Sequence, residues 1–265
     1  GKAKRERIYT HTGWRKINNV WRYLSAGSAA GEGGVRVELG DLARYSIPAS
    51  PENEVDAVRQ SFGLLKLAPL RITAPLLATI YRALLIAALP ADFAIFLEGR
   101  TGSFKSSVVA VFLSHFGQFD RLTLPASWSS TINFLERRAF TLKDALLVID
   151  DYAPGANDFR ELESKAQRLF RAQGNGAGRG RLRADLTERP AFFPRSLIIS
   201  TGEQHPSGQS VLARLLKIEI ARDDVTRELL SQAQSLASRL PHALSGFINW
   251  LSPQMDTLPG LLKEM

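Results

Sequence analysis

The sequence predicts an α/β fold with a mostly parallel sheet, preceded by a small N-terminal antiparallel β unit and followed by a helical C-terminal segment. Three observations carry this. From Ala91 onward, strand-like and helix-like segments alternate. The candidate strands "FAIFLEG", "ALLVIDD" and "RSLIIST" are continuous apolar runs, so each must be covered on both faces, as in a parallel sheet between helical layers. Before this region, from Tyr9 to Ile47, the chain is short-patterned, aromatic and broken by glycine.

Taken in order, "WRYL" and "VRVEL" alternate with period two and read as strands of the N-terminal β unit. The glycine run Gly27 to Gly34 has no following Lys-Ser/Thr pair, so a hairpin turn accounts for it. "SPENEVDAVRQSFGLLKL" begins with Ser50-Pro51 and early acids, the signature of a helix start, and an apolar helix from about Thr73 to Leu89 follows. In the main region "FAIFLEG" is a strand, "SSVVAVFLSHFG" a helix, "RLTLPA" a short strand, "SSTINFLERRAF" a helix and "ALLVIDD" a strand. "NDFRELESKAQRLFRAQ" is a helix, "RSLIIST" a strand, "SVLARL" a helical turn and "LKIEI" a strand. Asp223 to Leu251 is helical with a break at Pro241. The expected divisions are a β unit over 1–50, a helical neck over 51–90, a core over 91–222 and a helical segment over 223–265. No internal repeat is visible.

Composition narrows the function classes. The 265 residues carry 34 Lys+Arg against 26 Asp+Glu, a net charge of +8, which favours an anionic partner such as nucleic acid or an acidic membrane surface. With no cysteine, disulfides, zinc fingers and cysteine nucleophiles are excluded. His11, His115, His205 and His242 are scattered without a short-spaced pair, so no transition-metal site is expected. The apolar stretch Pro75–Pro90 is too short to span a bilayer comfortably and contains Arg82, and no signal peptide is present, so a cytoplasmic protein with no membrane partner is expected. A chain opening on Gly1 suggests a piece cut from a longer protein.

The chemistry is concentrated at "EGRTGSFKSS", Glu98 to Ser107. It carries the first glycine, the lysine and the serine of the phosphate-loop pattern G-x-x-x-x-G-K-[ST], with Phe104 where the second glycine belongs. The loop lies between an apolar strand and a helix N-terminus, where backbone N–H groups and the helix dipole favour a phosphate. Gly99, Thr101, Gly102, Ser103, Phe104, Lys105 and Ser106 are the expected nucleotide-binding residues. Lys105 reaches the β- and γ-phosphates, and the Ser106 hydroxyl helps to hold Mg²⁺. Gly102 supplies a permissive turn. Phe104 is expected at negative φ, giving its N–H while its ring turns away. "LLVIDD" reads as a Walker B strand, with Asp150 on Mg²⁺ and Asp151 polarising the attacking water. ATP and Mg²⁺ are the cofactors this pairing calls for.

Along nearly the whole chain, "HTGWR", "LARYSIP", "EGRTGSFKS", "SWSSTINFLE", "KDALLVIDDYAP", "GNGAGRGRLR", "RSLIISTGEQ" and "GQSVLARLL" resemble the AAA+ ATPase domains of helicase-like proteins of phages, plasmids and mobile elements, domain-of-unknown-function family 927. The resemblance implies an AAA+ P-loop core and an ATP-driven ring, a hexamer, acting on single-stranded or forked DNA. It is related in layout to superfamily III and minichromosome-maintenance-type replicative helicases. It further implies a polar residue near the γ-phosphate at Thr201 and an arginine finger at Arg214 that reaches a neighbour's nucleotide. One departure is Asp151, where general AAA+ proteins carry glutamate.

From Arg168 to Arg195 the chain has seven arginines and two acids, so a net +5 of its +8 sits in one segment. Arginine forks and glycine-rich backbone suit a sugar-phosphate chain. The resembled helicases carry a DNA-gripping hairpin in this interval, which points to Arg179, Arg181 and Arg183. A solvated basic loop, or one facing a neighbouring subunit's nucleotide, is the alternative. At the level of function, the alternatives to a motor are an ATP-switched DNA-binding or loader module with weak hydrolysis and, less well matched, a small-molecule kinase.

Overall fold

The computed structural model describes residues 7–26, 35–155, 158–176, 181–182, 188–189 and 192–262. Strand β1 (Arg7–Tyr9) is followed by β2 (Gly13–Ile17), β3 (Val20–Leu24) and β4 (Val35–Val37). The β2–β3 pair is an antiparallel hairpin turned at Asn18 and Asn19, both at positive φ (50° and 64°), the conformation that a tight hairpin turn demands and asparagine tolerates. β4 pairs in parallel with β1 and not with β3, so the N-terminal unit holds one antiparallel and one parallel pair. The glycine turn expected at 27–34 lies outside the described residues.

Helices α1 (Glu54–Gly63) and α2 (Leu70–Ala83) lead into the core. The core runs β5 (Ala94–Glu98), α3 (Lys105–Leu113), β6 (Ala126–Ser127), α4 (Ile132–Thr141), β7 (Leu146–Tyr152), α5 (Phe159–Asn175), the short pair β8 (Arg181–Leu182) and β9 (Glu188–Arg189), β10 (Leu197–Gly202), α6 (Gln209–Leu212) and β11 (Leu215–Glu219). Five strands form one parallel sheet in the order β11-β5-β10-β7-β6. Ala94–Leu97, Leu146–Ile149 and all of β10 are buried, as their unbroken apolar runs require. Helices α2 and α3 pack against the sheet and each other, and α5 packs on β5 beside α4 and α6. Helices α7 (Arg227–Ser235), α8 (Leu240–Leu251) and α9 (Leu258–Leu261) complete the chain, with α7 on α3 and α8 on α1. No helix among the described residues is long and apolar enough to cross a membrane.

Two local expectations are corrected. "RLTLPA" is mostly a turn, because the Asp120 side chain accepts the Leu122 N–H (2.7 Å) and the Thr123 hydroxyl bonds back to Asp120; only Ala126 and Ser127 pair. Pro241 does not break a helix. It occupies the first turn of α8, where a missing N–H costs nothing, and the break lies before it.

The N-terminal unit is pinned to the N-terminal end of β7. Trp14, 1% exposed, donates its backbone N–H to Asp144 Oδ2 (3.0 Å) and its indole N–H to the Leu84 carbonyl (2.8 Å). The Tyr23 and Tyr45 hydroxyls donate to the carbonyls of Asp144 and Leu146, each at 2.7 Å. Gly13 has φ +94°, and a Cβ there would sit 2.3 Å from the Lys143 carbonyl oxygen, so this junction needs glycine twice over. Burial pushes the Asp144 carboxyl up, and the adjoining Lys143 ammonium and the Trp14 N–H work against that shift.

His115 is fully buried between the Phe112 carbonyl (2.9 Å from Nδ1) and the Ser61 hydroxyl (2.8 Å from Nε2), and burial lowers its pKa from 6.5 to about 4. Between those two values the unfolded chain binds a proton that the fold refuses, so stability falls as pH drops from 6.5 toward 4, by up to about 3 kcal/mol. Urea titrations across this window are expected to show the loss, and His115→Gln, which cannot protonate, to flatten it.

Candidate phosphate site

The loop between β5 and α3 lies at the C-terminal ends of the parallel strands, where α/β sheets place their ligands. Its base is tight. A Cβ on Gly99 would stand 2.4 Å from the Ile220 carbonyl oxygen, so the first glycine allows β5 and the end of β11 to meet. Gly102 takes φ +86°. Phe104 takes φ +61°, ψ +17°, contrary to the expected negative φ. The pattern's glycine marks a left-handed position, and phenylalanine adopts it at a cost of about 1–2 kcal/mol. Its half-buried side chain packs against the main apolar cluster, while the residue still lines the cavity. As the N-cap residue of α3, with its carbonyl accepting Val108 N–H (2.9 Å), Phe104 turns the chain from loop into helix.

Three motifs converge here. Asp150 Oδ1 accepts hydrogen bonds from the Ser106 hydroxyl (2.8 Å) and the Thr201 hydroxyl (2.5 Å). Thr201 Oγ1 also accepts the Asp151 N–H (3.2 Å). Lys105 donates to the carbonyls of Gly99 (2.5 Å) and Arg100 (3.2 Å). Burial lowers its pKa, with Glu203, Asp150 and Asp151 working against that shift. Between Ser200 and Gly202 of β10 the register against β7 slips, so that Asp150 and Asp151 together face Thr201. Asp151, at φ +64°, is the bulged residue, and the bulge aims its exposed carboxylate into the cavity. The cavity is about 330 Å³ and includes Thr101, Gly102, Lys105, Ser106, Asp151 and Thr201 in its wall.

Other side chains meet the loop without having been read from the sequence. Glu203 accepts the Thr101 N–H (3.0 Å) and the Thr101 hydroxyl, and these bonds hold its carboxyl below the usual range. Arg222 donates to the Thr101 carbonyl (2.9 Å) from just beyond β11, and Arg121 lines the same cavity. The available signal was positional: Glu203 and Arg222 follow the C-terminal ends of sheet strands.

The residues present suit a nucleotide phosphate and its magnesium ion. Gly102 turns its Cα toward the Arg222 guanidinium, 3.6 Å from where a Cβ would stand, and the buried Ser103 hydroxyl has no hydrogen-bond partner among the described residues. The oxygens of Ser106, Asp150 and Thr201 form a hard-ligand cluster of the kind magnesium prefers.

Arg214 stands elsewhere. Its carbonyl accepts the Ala94 N–H (2.8 Å), which puts it at the N-terminal ends of β11 and β5, opposite the phosphate loop. Its guanidinium donates to the Ser210 carbonyl (2.6 Å) and to Asn175 Oδ1 (2.9 Å), and lies so close to Gly174 that a Cβ there would meet it at 2.3 Å. Arg181 lies on β8, which pairs antiparallel with β9; Arg179 and Arg183 lie outside the described residues.

Among solved structures, SCCmec type IV Cch, described as an active helicase, matches 96% of this chain with 18% identity and a TM-score of 0.55. This chain spans 48% of that one, about half its length. The C-terminal region of NrS-1 matches 91% of this chain and 54% of its own at 13% identity and TM-score 0.46; the JCV helicase matches 77% and 60% at 15% and 0.41. No curated protein gives a significant sequence match. The fold is thus shared with a helicase chain, and a match to a domain of unknown function over residues 2–190, well over half the sequence, settles the lineage: the chain belongs to the DUF927 family.

Proposed function

We propose that the protein is an ATP-hydrolysing AAA+ motor domain acting on DNA, a replicative helicase or translocase part of a mobile genetic element, working as a hexameric ring with nucleotide at subunit interfaces. The observation that supports it best is the meeting of phosphate loop, Walker B strand and Thr201 on one oxygen of Asp150. Bound nucleotide would supply the scissile phosphoanhydride, and magnesium would supply charge neutralisation at its oxygens. Lys105 neutralises the β- and γ-phosphates, Ser106 and Asp150 hold the metal, and Gly99, Thr101, Gly102, Ser103 and Phe104 shape the cradle. Asp151 orients and polarises the attacking water, and Thr201 holds the end of the Walker B strand in register. Arg214 is the finger offered to a neighbour, and Arg179, Arg181 and Arg183 grip DNA.

The placement of Asp151 also supports a second reading, an ATP-switched loader with weak hydrolysis, because a short carboxylate on a bulge has limited reach. Phosphate release with and without single-stranded DNA, alongside a forked-duplex unwinding assay, separates the two. The motor gives DNA-stimulated turnover with strand separation. Slow, unstimulated turnover with no unwinding would replace it by the switch.

A further inference from the structure

At the N-terminal ends of β7 and β10, away from the phosphate loop, a groove of about 630 Å³ runs between the N-terminal β unit and the C-terminal half of α4. The seven residues of β7 separate the two ends of the sheet by roughly 20 Å at about 3.3 Å per residue. Arginine and phenylalanine dominate one wall: Phe134, Arg137, Arg138 and Phe140 from α4, and Phe192 and Arg195 from the segment that leaves β9 for β10. The Arg195 guanidinium lies 3.6 Å from the Phe140 ring centre and donates its Nε–H to the Phe140 carbonyl (2.8 Å), and one buried Nη has no hydrogen-bond partner among the described residues. Arg138 covers Phe134 at 4.5 Å and is paired with Asp41. Phe134 and Phe192 remain 38% and 41% exposed, and Arg137 is exposed with no ion pair among the described residues.

Arg137, Arg138 and Arg195 outnumber Glu38 and Asp41 in the groove's lining, and Asp41 is already paired with Arg138. His11 in its wall is held below the ordinary histidine range by burial and, further, by the charges of Arg195, Lys143 and Arg15. Partly exposed phenylalanine rings interleaved with guanidinium groups suit a chain of phosphates carrying unpaired bases, since only unpaired bases can lie flat on a phenylalanine. A duplex offers no such face, and an acidic peptide would leave the phenylalanines unmatched. In sequence, Phe192 stands three positions after Arg189, the last residue of β9.

We infer that this groove is a second nucleic-acid contact, which receives single-stranded DNA, with bases on Phe134 and Phe192 and phosphates on Arg137 and Arg195. The inference rests on the reading of the protein as a DNA-dependent ATPase.

The test is fluorescence anisotropy of the whole protein with a labelled single-stranded oligonucleotide and with the matching duplex, across a salt series. Phe134→Ala is expected to weaken single-strand binding about 5- to 100-fold. Arg137→Ala is expected to weaken it less and to lower the salt slope by about one. Both are surface changes outside the nucleotide site, so DNA-free ATP turnover is expected to match the wild type and to report that each variant is folded. Wild-type affinity in both variants, with binding lost in Arg181→Ala, would overturn the groove and leave the DNA reading standing. Equal losses on duplex and single strand would overturn the single-stranded occupant. No binding of either DNA by the wild type, with ATP turnover intact, would overturn both the groove and the DNA reading.

Discussion

Lys105→Ala is expected to lower kcat/KM for ATP by about 10²- to 10³-fold or more, with little change in thermal stability. The Lys105 ammonium lines the cavity and, among the described residues, is bonded to the Gly99 and Arg100 carbonyls. Glu203, Asp150 and Asp151 all act on it, so the pocket holds a concentration of negative charge even before a triphosphate enters. Without Lys105, each further negative charge meets carboxylates that have lost one of their counter-charges, in a half-enclosed space where attraction and repulsion are both stronger than in water. Binding and turnover then fall together. The fold is spared because the lost bonds run to loop carbonyls at an open cavity mouth, which water can replace. Phosphate release, nucleotide binding and a melting curve on the same preparation check this; wild-type turnover would remove Lys105 from the site.

The same cavity shows where sequence reading succeeds and where it stops. Lys105, Ser106, Asp150 and Thr201 could be placed together because each follows an unbroken apolar strand, and parallel strands deliver their C-terminal ends to one edge of the sheet. Phe104 was misjudged for an identifiable reason. Sterics argue that a bulky residue avoids positive φ, but the bends of the loop and the packing of the ring against the core outweigh a penalty of about 1–2 kcal/mol. The glycine pattern was therefore the better guide to φ than the residue standing in it. The β7 bulge could not be read either, since nothing in "VIDDY" distinguishes a residue in register from one pushed out of it; the slip exists only against β10. Glu203 and Arg222 escaped because their roles depend on contact with Thr101 across the sheet edge, which no local pattern encodes.

That edge also explains how the loop keeps its shape. Glu203 holds the N–H and hydroxyl of Thr101, and Arg222 holds its carbonyl, so the turn is braced by the chain following β10 on one side and β11 on the other. Further round the sheet, Glu163 on α5 accepts the Tyr152 hydroxyl (2.7 Å) and both the N–H and hydroxyl of Ser207 (2.7 Å each). The end of β7, the chain after Thr201 and helix α5 are thereby tied at one carboxylate. Helix α5 ends at Asn175, beside Arg214 and within the arginine-rich segment. A physical chain of contacts therefore runs from the phosphate cavity, along α5, to the opposite end of the sheet.

Arg214→Ala is expected to lower ATP turnover about 10³-fold or more while leaving nucleotide binding by an isolated subunit unchanged. The asymmetry follows from position. Arg214 sits at the N-terminal end of the edge strand β11, whereas the β5–α3 loop lies at the C-terminal ends of the strands, so Arg214 is out of reach of a phosphate held by the loop of the same chain. Its bonds to Ser210 and Asn175 lie on a partly exposed surface and contribute little to stability, which separates a loss of activity from a loss of fold. If the ring closes through a head-to-tail interface, each Arg214 meets the neighbour's Lys105 and the two defects are on opposite sides of the contact. Mixing equal amounts of Arg214→Ala and Lys105→Ala subunits then rebuilds about a quarter of the interfaces with both residues intact. Measurable turnover is expected to return in the mixture although each variant alone is inactive. A mixture as inactive as its components, in a ring shown by sedimentation to contain both, would mean that Arg214 serves its own chain and is no finger.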